Sequence, residues 1–157
     1  GKLKDYNGAI ADFNQALKLD PSNAFIWNNF GKFKQKKGDF SGAIAAYSKA
    51  IKSDEKNFLF YYNRGVARFK MKNFNAALSD LKESIKRKPG FFRSWYLASI
   101  IGILRNNLDK AQKRYRTAQK LSNFSLQPFN DIKSKWSNNS SSSKSKGKKI
   151  KKLQKAL

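Results

Sequence analysis

The chain has 157 residues, of which 14% are aromatic, so it can bury a sizeable hydrophobic core. It contains no cysteine and no histidine, which excludes disulfides, thiolate nucleophiles, imidazole bases and metal sites built on thiolates or imidazoles. Its 34 Lys and Arg residues outnumber its 10 Asp and Glu residues, and the net charge of +24 predicts acidic partners such as nucleic acid, anionic lipid or acidic protein segments.

Alanines recur along the chain at a fixed spacing of 34 residues, at Ala9, Ala43, Ala77 and Ala111. A bulky apolar column and a small-residue column keep the same register: Phe13, Tyr47, Leu81 and Tyr115, and then Ala16, Ala50, Ser84 and Ala118. Earlier in each unit stand an aromatic and a small residue, namely Trp27 with Gly31, Tyr61 with Gly65, and Trp95 with Ser99. Such a period is the signature of a helical repeat array.

Residues 1–23 contain only the second helix of a repeat in this register. We expect the inner face of that helix, which carries Ile10, Phe13 and Leu17, to be bare. We therefore also expect the natural protein to continue upstream.

Residues 24–57 form the first complete unit. Trp27, Phe30 and Gly31 lie at i, i+3 and i+4, which is one face of a helix. Gly38 is expected to adopt the left-handed conformation that ends this helix. A second helix is predicted to begin at Ser41, with Ser41 and its counterparts Asn7, Asn75 and Asp109 able to cap the helix N-terminus.

Residues 58–91 and 92–125 repeat the pattern, the last of them divergently, with Gln112 and Gln119 in place of apolar residues. Lys72-Asn73 and Asn106-Asn107 occupy the turns equivalent to Gly38, where asparagine is the next-best residue. Pro21 and Pro89 close their units, because proline cannot continue a helix.

The C-terminal part changes character twice. Phe129, Ile132 and Trp136 predict a single capping helix within residues 126–137. Residues 138–157 are predicted to be a flexible basic tail rich in serine and lysine. Its last ten residues could form a short amphipathic helix against a partner, and they carry the candidate basic site Lys148, Lys149, Lys151, Lys152 and Lys155.

The helix–turn–helix pattern of 34 residues resembles the tetratricopeptide repeat (TPR) family over residues 1–125. The matching columns are Trp27, Gly31, Phe40, Ala43, Tyr47, Ala50 and the terminal Pro21 or Pro89. Glu55 and Asn123 depart from it by replacing the proline. The resemblance implies an all-α fold: a right-handed superhelix of antiparallel helix pairs with a C-terminal capping helix.

The resemblance also implies a concave groove, lined by the first helices of successive units, that holds a peptide. By register the groove residues are Phe25, Asn28, Lys32 and Lys36, then Tyr62, Asn63, Val66, Phe69 and Lys70, then Arg93, Tyr96 and Ile100. The alternative for Tyr62, Phe69 and Tyr96 is packing against neighbouring helices.

Some TPR proteins clamp the carboxylate of chaperone tails, and this chain is a poor match to them. Asn63 and Arg93 fit the clamp, but Asn28 and Lys32 hold their pair in reversed order, and Leu97 replaces a cation. Since a carboxylate needs several converging donors, we disfavour this function.

We therefore expect a non-catalytic scaffold whose basic, aromatic groove binds acidic or aromatic-containing segments of other proteins in a larger assembly. The competing hypothesis is a platform that associates with nucleic acid through charge. We expect no enzyme activity and no cofactor, because no catalytic constellation and no glycine-rich phosphate loop is found. Four interpretations of the basic tail stay open: a solvated terminus, a nuclear-import signal, a nucleic-acid contact or an anchor to acidic surfaces. We expect a cytoplasmic protein, with cilium or cytoskeleton and nucleus as alternatives.

Overall fold

The computed structural model describes residues 2–123 and 126–137, and the predicted basic tail lies outside this part of the chain. The chain forms two compact units, residues 1–87 and 88–157. Unit 1 contains α1 (Lys2–Leu19), α2 (Ala24–Lys36), α3 (Phe40–Ser53), α4 (Phe58–Lys70) and α5 (Phe74–Arg87). Unit 2 contains α6 (Phe92–Leu104), α7 (Leu108–Leu121) and α8 (Phe129–Ser137). The predicted all-α fold class is confirmed.

The core of unit 1 consists of two hairpins, α2 with α3 and α4 with α5. Ala43, Tyr47 and Ala50 of α3 are fully buried. The two helices of the first hairpin approach closely at Gly31, where an added Cβ would lie 2.6 Å from Cε1 of Tyr47. Only glycine fits at that distance, so Gly31 sets how deeply the tyrosine ring can enter the hairpin.

The second helix of each hairpin begins one residue earlier than predicted, and its cap lies two residues earlier. Helix α3 starts at Phe40, and the Asp39 carboxylate accepts a hydrogen bond of 2.8 Å from the backbone N–H of Gly42. This bond lowers the pKa of Asp39, and the hydrogen bond from Lys34 lowers it further. In α5 the side chain of Asn73 accepts from the N–H of Ala76 in the same way.

The predicted caps Asn7, Ser41, Asn75 and Asp109 are therefore wrong, since all four lie inside helices. Prediction favoured them because each is a good capping residue beside the apolar run. The structure instead places the preceding aromatic or leucine in the first helical position, at Phe40, Phe74 and Leu108.

The turn inside each complete hairpin contains one residue with positive φ, and these residues are 34 positions apart. They are Gly38 (φ 86°), Lys72 (φ 62°) and Asn106 (φ 57°). Gly38 and Asn106 match the expectation, whereas in the middle repeat Lys72 adopts the conformation and Asn73 does not. The position in the repeat outweighs the preference of asparagine for positive φ here, because the side chain of Asn73 caps α5.

A buried ion network joins α4 to α5. The Asp80 residue is 2% exposed, and its carboxylate accepts two hydrogen bonds from one edge of the Arg64 guanidinium, at 3.0 Å from Nε and 2.8 Å from Nη2. Arg68 donates to the same carboxylate at 2.9 Å, and Nη1 of Arg64 also donates to the hydroxyl of Ser48 on α3. Asp80 is thus the carboxylate on which both guanidinium groups depend.

Unit 2 is a hairpin of α6 and α7 covered by α8. Its core contains Ile103, Ala111, Tyr115 and Ile132, with Phe129 packed against it. Gly102 allows the close approach of the two helices, since an added Cβ would lie 2.9 Å from that of Ala111. The Tyr115 hydroxyl donates to the backbone carbonyl of Gln127, which fixes the start of α8 against the hairpin.

Two kinds of feature are absent from the described residues. No helix among them is long and apolar enough to span a membrane. No group of three or more carboxylates that could hold a metal ion occurs in the same part of the chain.

Lys72→Gly should stabilise the protein, because glycine relieves the steric cost of a left-handed residue. That cost is about 1–2 kcal/mol, and the entropy lost by glycine offsets part of it. We expect a gain of about 0.5–1 kcal/mol in the free energy of unfolding, measured by urea denaturation. Gly38→Ala at the equivalent turn should destabilise the protein, because alanine disfavours the left-handed conformation. Lys82→Gly on the exposed side of α5 should lower the free energy of unfolding by about 1 kcal/mol. Destabilisation by Lys72→Gly would contradict this explanation of the turn.

Asp80→Ala should strongly destabilise the protein, because it leaves two part-buried guanidinium groups without a counter-charge. The expected loss is about 3–5 kcal/mol in the free energy of unfolding. Glu55→Ala removes an exposed carboxylate and should change stability by less than about 0.5 kcal/mol. Replacing Arg64, Arg68 and Asp80 together by apolar residues should recover most of the loss. A loss below about 1 kcal/mol in Asp80→Ala would show that the network is not needed.

Candidate functional site

The first helices of the two hairpins in unit 1 meet through a pair of asparagines. Nδ2 of Asn63 on α4 donates to Oδ1 of Asn28 on α2 at 2.8 Å. Asn28 is buried and Asn63 is half-buried. The bond therefore identifies the sides of α2 and α4 that lie next to each other.

Residues on the same side of each helix form the α2–α4 face, since residues three or four apart on a helix are neighbours. On α2 this face carries Phe25, Lys32 and Lys36, and on α4 it carries Leu59. We define the α2–α4 face as Phe25, Asn28, Lys32, Lys36, Leu59 and Asn63.

The α2–α4 face is apolar at one end and basic at the other. Phe25 is 62% exposed and packs edge-on against the buried ring of Phe60, with ring centroids 5.7 Å apart. Leu59 is 36% exposed. Lys32 and Lys36 follow about two and three turns along α2 and are exposed.

Neither lysine of this face forms an ion pair with a carboxylate in residues 2–123 or 126–137. The ion pairs found among the described residues use Lys34, Arg64, Arg68 and Arg87 as cations. Lys32 and Lys36 therefore keep their positive charge available to an acidic ligand.

Four of the other predicted groove residues are buried, so little of their surface is open to a ligand. Phe69 is fully buried and packs on Phe74, with ring centroids 5.8 Å apart. Tyr62, Val66 and Ile100 are also buried. The alternative expected for Tyr62 and Phe69, packing within the array, describes their positions better.

Lys70, Arg93 and Tyr96 have different surroundings. The Lys70 ammonium lies 5.7 Å from the centroid of the Phe40 ring, and burial lowers its pKa. In unit 2, Arg93 is exposed and Tyr96 is half-buried. Tyr96 packs beside Tyr115 with ring centroids 6.4 Å apart, and burial raises the pKa of its hydroxyl.

Leu59 is a surface residue of this face that was not among the predicted groove residues. The signal was available, because Leu59 stands 34 residues after Phe25 and therefore occupies the same column. The carboxylate clamp finds little support, since Nδ2 of Asn63 is bonded to Asn28 and Leu97 is fully buried.

The chain is similar to several known repeat proteins. Profiles described as TPR repeat match residues 2–38 and 34–72, and one described as tetratricopeptide repeat matches residues 59–91. No curated protein sequence is significantly similar to the chain.

Solved structures share the fold of this chain. A crystal structure of MamA has a TM-score of 0.71 at 25% identity, and the match covers 77% of this chain and 71% of that one. The first TPR domain of Spaghetti (RPAP3), solved with the HSP90 peptide SRMEEVD, has a TM-score of 0.68 at 24% identity, covering 78% of this chain and 97% of that one. MamA from Desulfovibrio magneticus RS-1 matches with a TM-score of 0.68 at 16% identity, over 76% of this chain and 68% of that one. The chain therefore belongs to the tetratricopeptide repeat family, whose members are protein–protein interaction scaffolds and are generally not catalysts.

Proposed function

We propose that this chain is a non-catalytic scaffold whose α2–α4 face binds an acidic peptide segment with an apolar side chain. The observation that carries the proposal is that one face combines exposed apolar residues with two lysines that form no ion pair with any described carboxylate. An acidic ligand suits the net charge of +24. The HSP90 peptide bound by the RPAP3 domain, SRMEEVD, is also acidic.

The spacing along α2 defines the ligand more closely. Phe25 and Lys32 are seven residues apart, which corresponds to about 10 Å along a helix axis. An extended peptide covers that distance in about three residues. The ligand should therefore carry its apolar side chain about three to five residues from its acidic group, so that both ends of the face are used at once.

Lys70 in unit 1 and Arg93 and Tyr96 in unit 2 remain secondary candidates for ligand contact, each within its own unit. Lys70 is half-buried, so its contribution to binding should be smaller than that of Lys32 and Lys36. A ligand held by the α2–α4 face alone needs none of the three.

Charge-driven nucleic-acid association is the second candidate function, and it is favoured by the net charge alone. Exposed lysines also occur on α3, at Lys49 and Lys52. Nucleic-acid binding of this kind would use lysines on any face and would weaken steeply with salt. Binding at the α2–α4 face should instead depend on where the charge is removed.

The test compares two charge-reversal variants of the full chain. Lys32→Glu with Lys36→Glu changes the α2–α4 face, and Lys49→Glu with Lys52→Glu makes the same change in net charge on α3. We expect the first variant to weaken binding of a labelled acidic peptide containing leucine by about tenfold or more, and the second by less than about twofold. Fluorescence anisotropy at 150 mM salt provides the measurement.

Phe25→Ser should also weaken binding of the same peptide, because the change removes an apolar contact without altering the charge. Equal losses in both lysine variants, with Phe25→Ser unaffected, would reject the face and favour unspecific attraction. Random-sequence RNA measured with the same variants then reports whether that attraction extends to nucleic acid.

A further inference from the structure

Helix α7 in unit 2 carries a line of cations on its exposed side. We define the α7 ridge as these residues, all of which are exposed: Lys110, Lys113, Arg116 and Lys120. Each lies three or four positions from the next, so they are neighbours along one side of the helix. The first and last are separated by ten residues, which corresponds to about 15 Å along the helix axis.

The cations of the α7 ridge are particular to this repeat. The columns of Lys110 and Lys113 hold small uncharged residues in the two preceding second helices, namely Gly42, Ala45, Ala76 and Ser79. Only the column of Lys120 is lysine in every unit, and each of these lysines lies in the last turn of its helix. The helix dipole favours a cation there, so it accounts for Lys120 but not for the rest of the ridge.

The exposure of this side does not depend on what lies beside α7. Helix α3 packs against both α2 and α4. Its residues at the columns of Lys113 and Lys120 are Ala45 and Lys52, and both are exposed. This side of a second helix therefore faces solvent even when helices cover both of its flanks.

One flank of the ridge has also become polar. In α3 the half-buried residues Ile44 and Ile51 pack on core clusters that include residues of α4. In α7 the same columns hold Gln112 and Gln119, which are exposed. Their amides add neutral hydrogen-bond donors beside the cations, and they remove the apolar contacts with which α3 packs on another helix.

The charge of the α7 ridge is not balanced by described carboxylates. The ion pairs within residues 2–123 and 126–137 involve cations of other helices. Asp109 is the one acidic residue of α7, and it lies in the first turn, where the helix dipole favours it. Cations three or four positions apart repel one another and destabilise a helix. A face that served only for solubility would mix both signs of charge.

The spacing and the donor types fit the phosphate backbone of a nucleic-acid duplex. Each strand of a duplex presents one phosphate per about 3.4 Å of axis, so about four phosphates match the length of the ridge. Lysine, arginine and glutamine are among the side chains that contact phosphate oxygens. The ridge therefore offers the right groups over the right distance.

Two other anionic partners fit less well. Proteins that hold single-stranded nucleic acid stack its bases on exposed aromatic rings, but the aromatic residue of α7, Tyr115, is buried. A helix that lies on a membrane inserts an apolar face. Within α7 the exposed large apolar residue is Leu121, at the last position of the helix.

We propose that the α7 ridge binds the phosphate backbone of a nucleic-acid duplex without reading the bases. This differs from general attraction to lysines, because binding depends on one helix and not on the total charge. The ridge lies in unit 2 and the α2–α4 face in unit 1, so either proposal can fail without the other.

The test compares two variants of the full chain that lose the same charge. The ridge variant is Lys113→Gln with Arg116→Gln and Lys120→Gln. The control variant is Lys49→Gln with Lys52→Gln and Lys82→Gln, at exposed positions of α3 and α5. Labelled random-sequence DNA and RNA duplexes of about 20 base pairs are titrated with each protein by fluorescence anisotropy, between about 50 and 200 mM salt. Circular dichroism checks that helix content is unchanged.

We expect the ridge variant to weaken duplex binding by about tenfold or more, and the control variant by less than about threefold. Each lost phosphate contact should also lower the slope of log K against log salt concentration by about 0.9. The ridge variant should therefore flatten that slope by about 2.7, and the control variant by less than about 0.5. A difference between the DNA and RNA duplexes would identify which of the two the ridge fits.

Three results would overturn the proposal. The first is that the unaltered chain does not bind either duplex. The second is that the two variants change affinity and slope equally, which would assign binding to the total charge. The third is that a single strand or anionic phospholipid vesicles bind as tightly as the duplexes and lose as much affinity in the ridge variant.

Discussion

The close approach of the two helices in each hairpin is the constraint on which the rest of the structure depends. Gly31 faces the ring of Tyr47 in unit 1, and Gly102 faces Ala111 in unit 2, at distances where a Cβ could not be accommodated without displacement. Because the helices are so close, the alanines of the three complete hairpins, Ala43, Ala77 and Ala111, are fully buried. The outward sides of the first helices are then left for polar and charged residues, and the α2–α4 face is one result.

The hairpins could be predicted because this constraint leaves a periodic trace in the sequence. In each unit a bulky apolar residue stands between two small residues, as Tyr47 does between Ala43 and Ala50. This arrangement recurs every 34 residues, because each hairpin needs small residues where its two helices pack closely. Helix starts were less predictable. Asp39 and Ser41 are both good caps, and the choice between them depends on placing Phe40 in the first turn of the helix.

The features that sequence could not supply depend on several columns changing together in one repeat. The ion network is one example, because its members Arg64, Arg68 and Asp80 stand where the preceding unit has phenylalanine, lysine and alanine. The ion pairs become evident only from the structure, where both arginines contact Asp80. Groove residues were assigned through resemblance alone, which places a residue on a helix but does not determine its depth. Phe69 shows the difference, since it occupies a groove column and is fully buried.

The central claim is that the α2–α4 face, and not the overall positive charge, selects the partner. Amide chemical-shift mapping of the labelled full chain during titration with an acidic, leucine-containing peptide tests it most directly. The account predicts the largest shifts at Phe25, Lys32, Lys36 and Asn63, with little change at Lys49 and Lys52 on α3. Small shifts spread over the exposed lysines of every helix would contradict it.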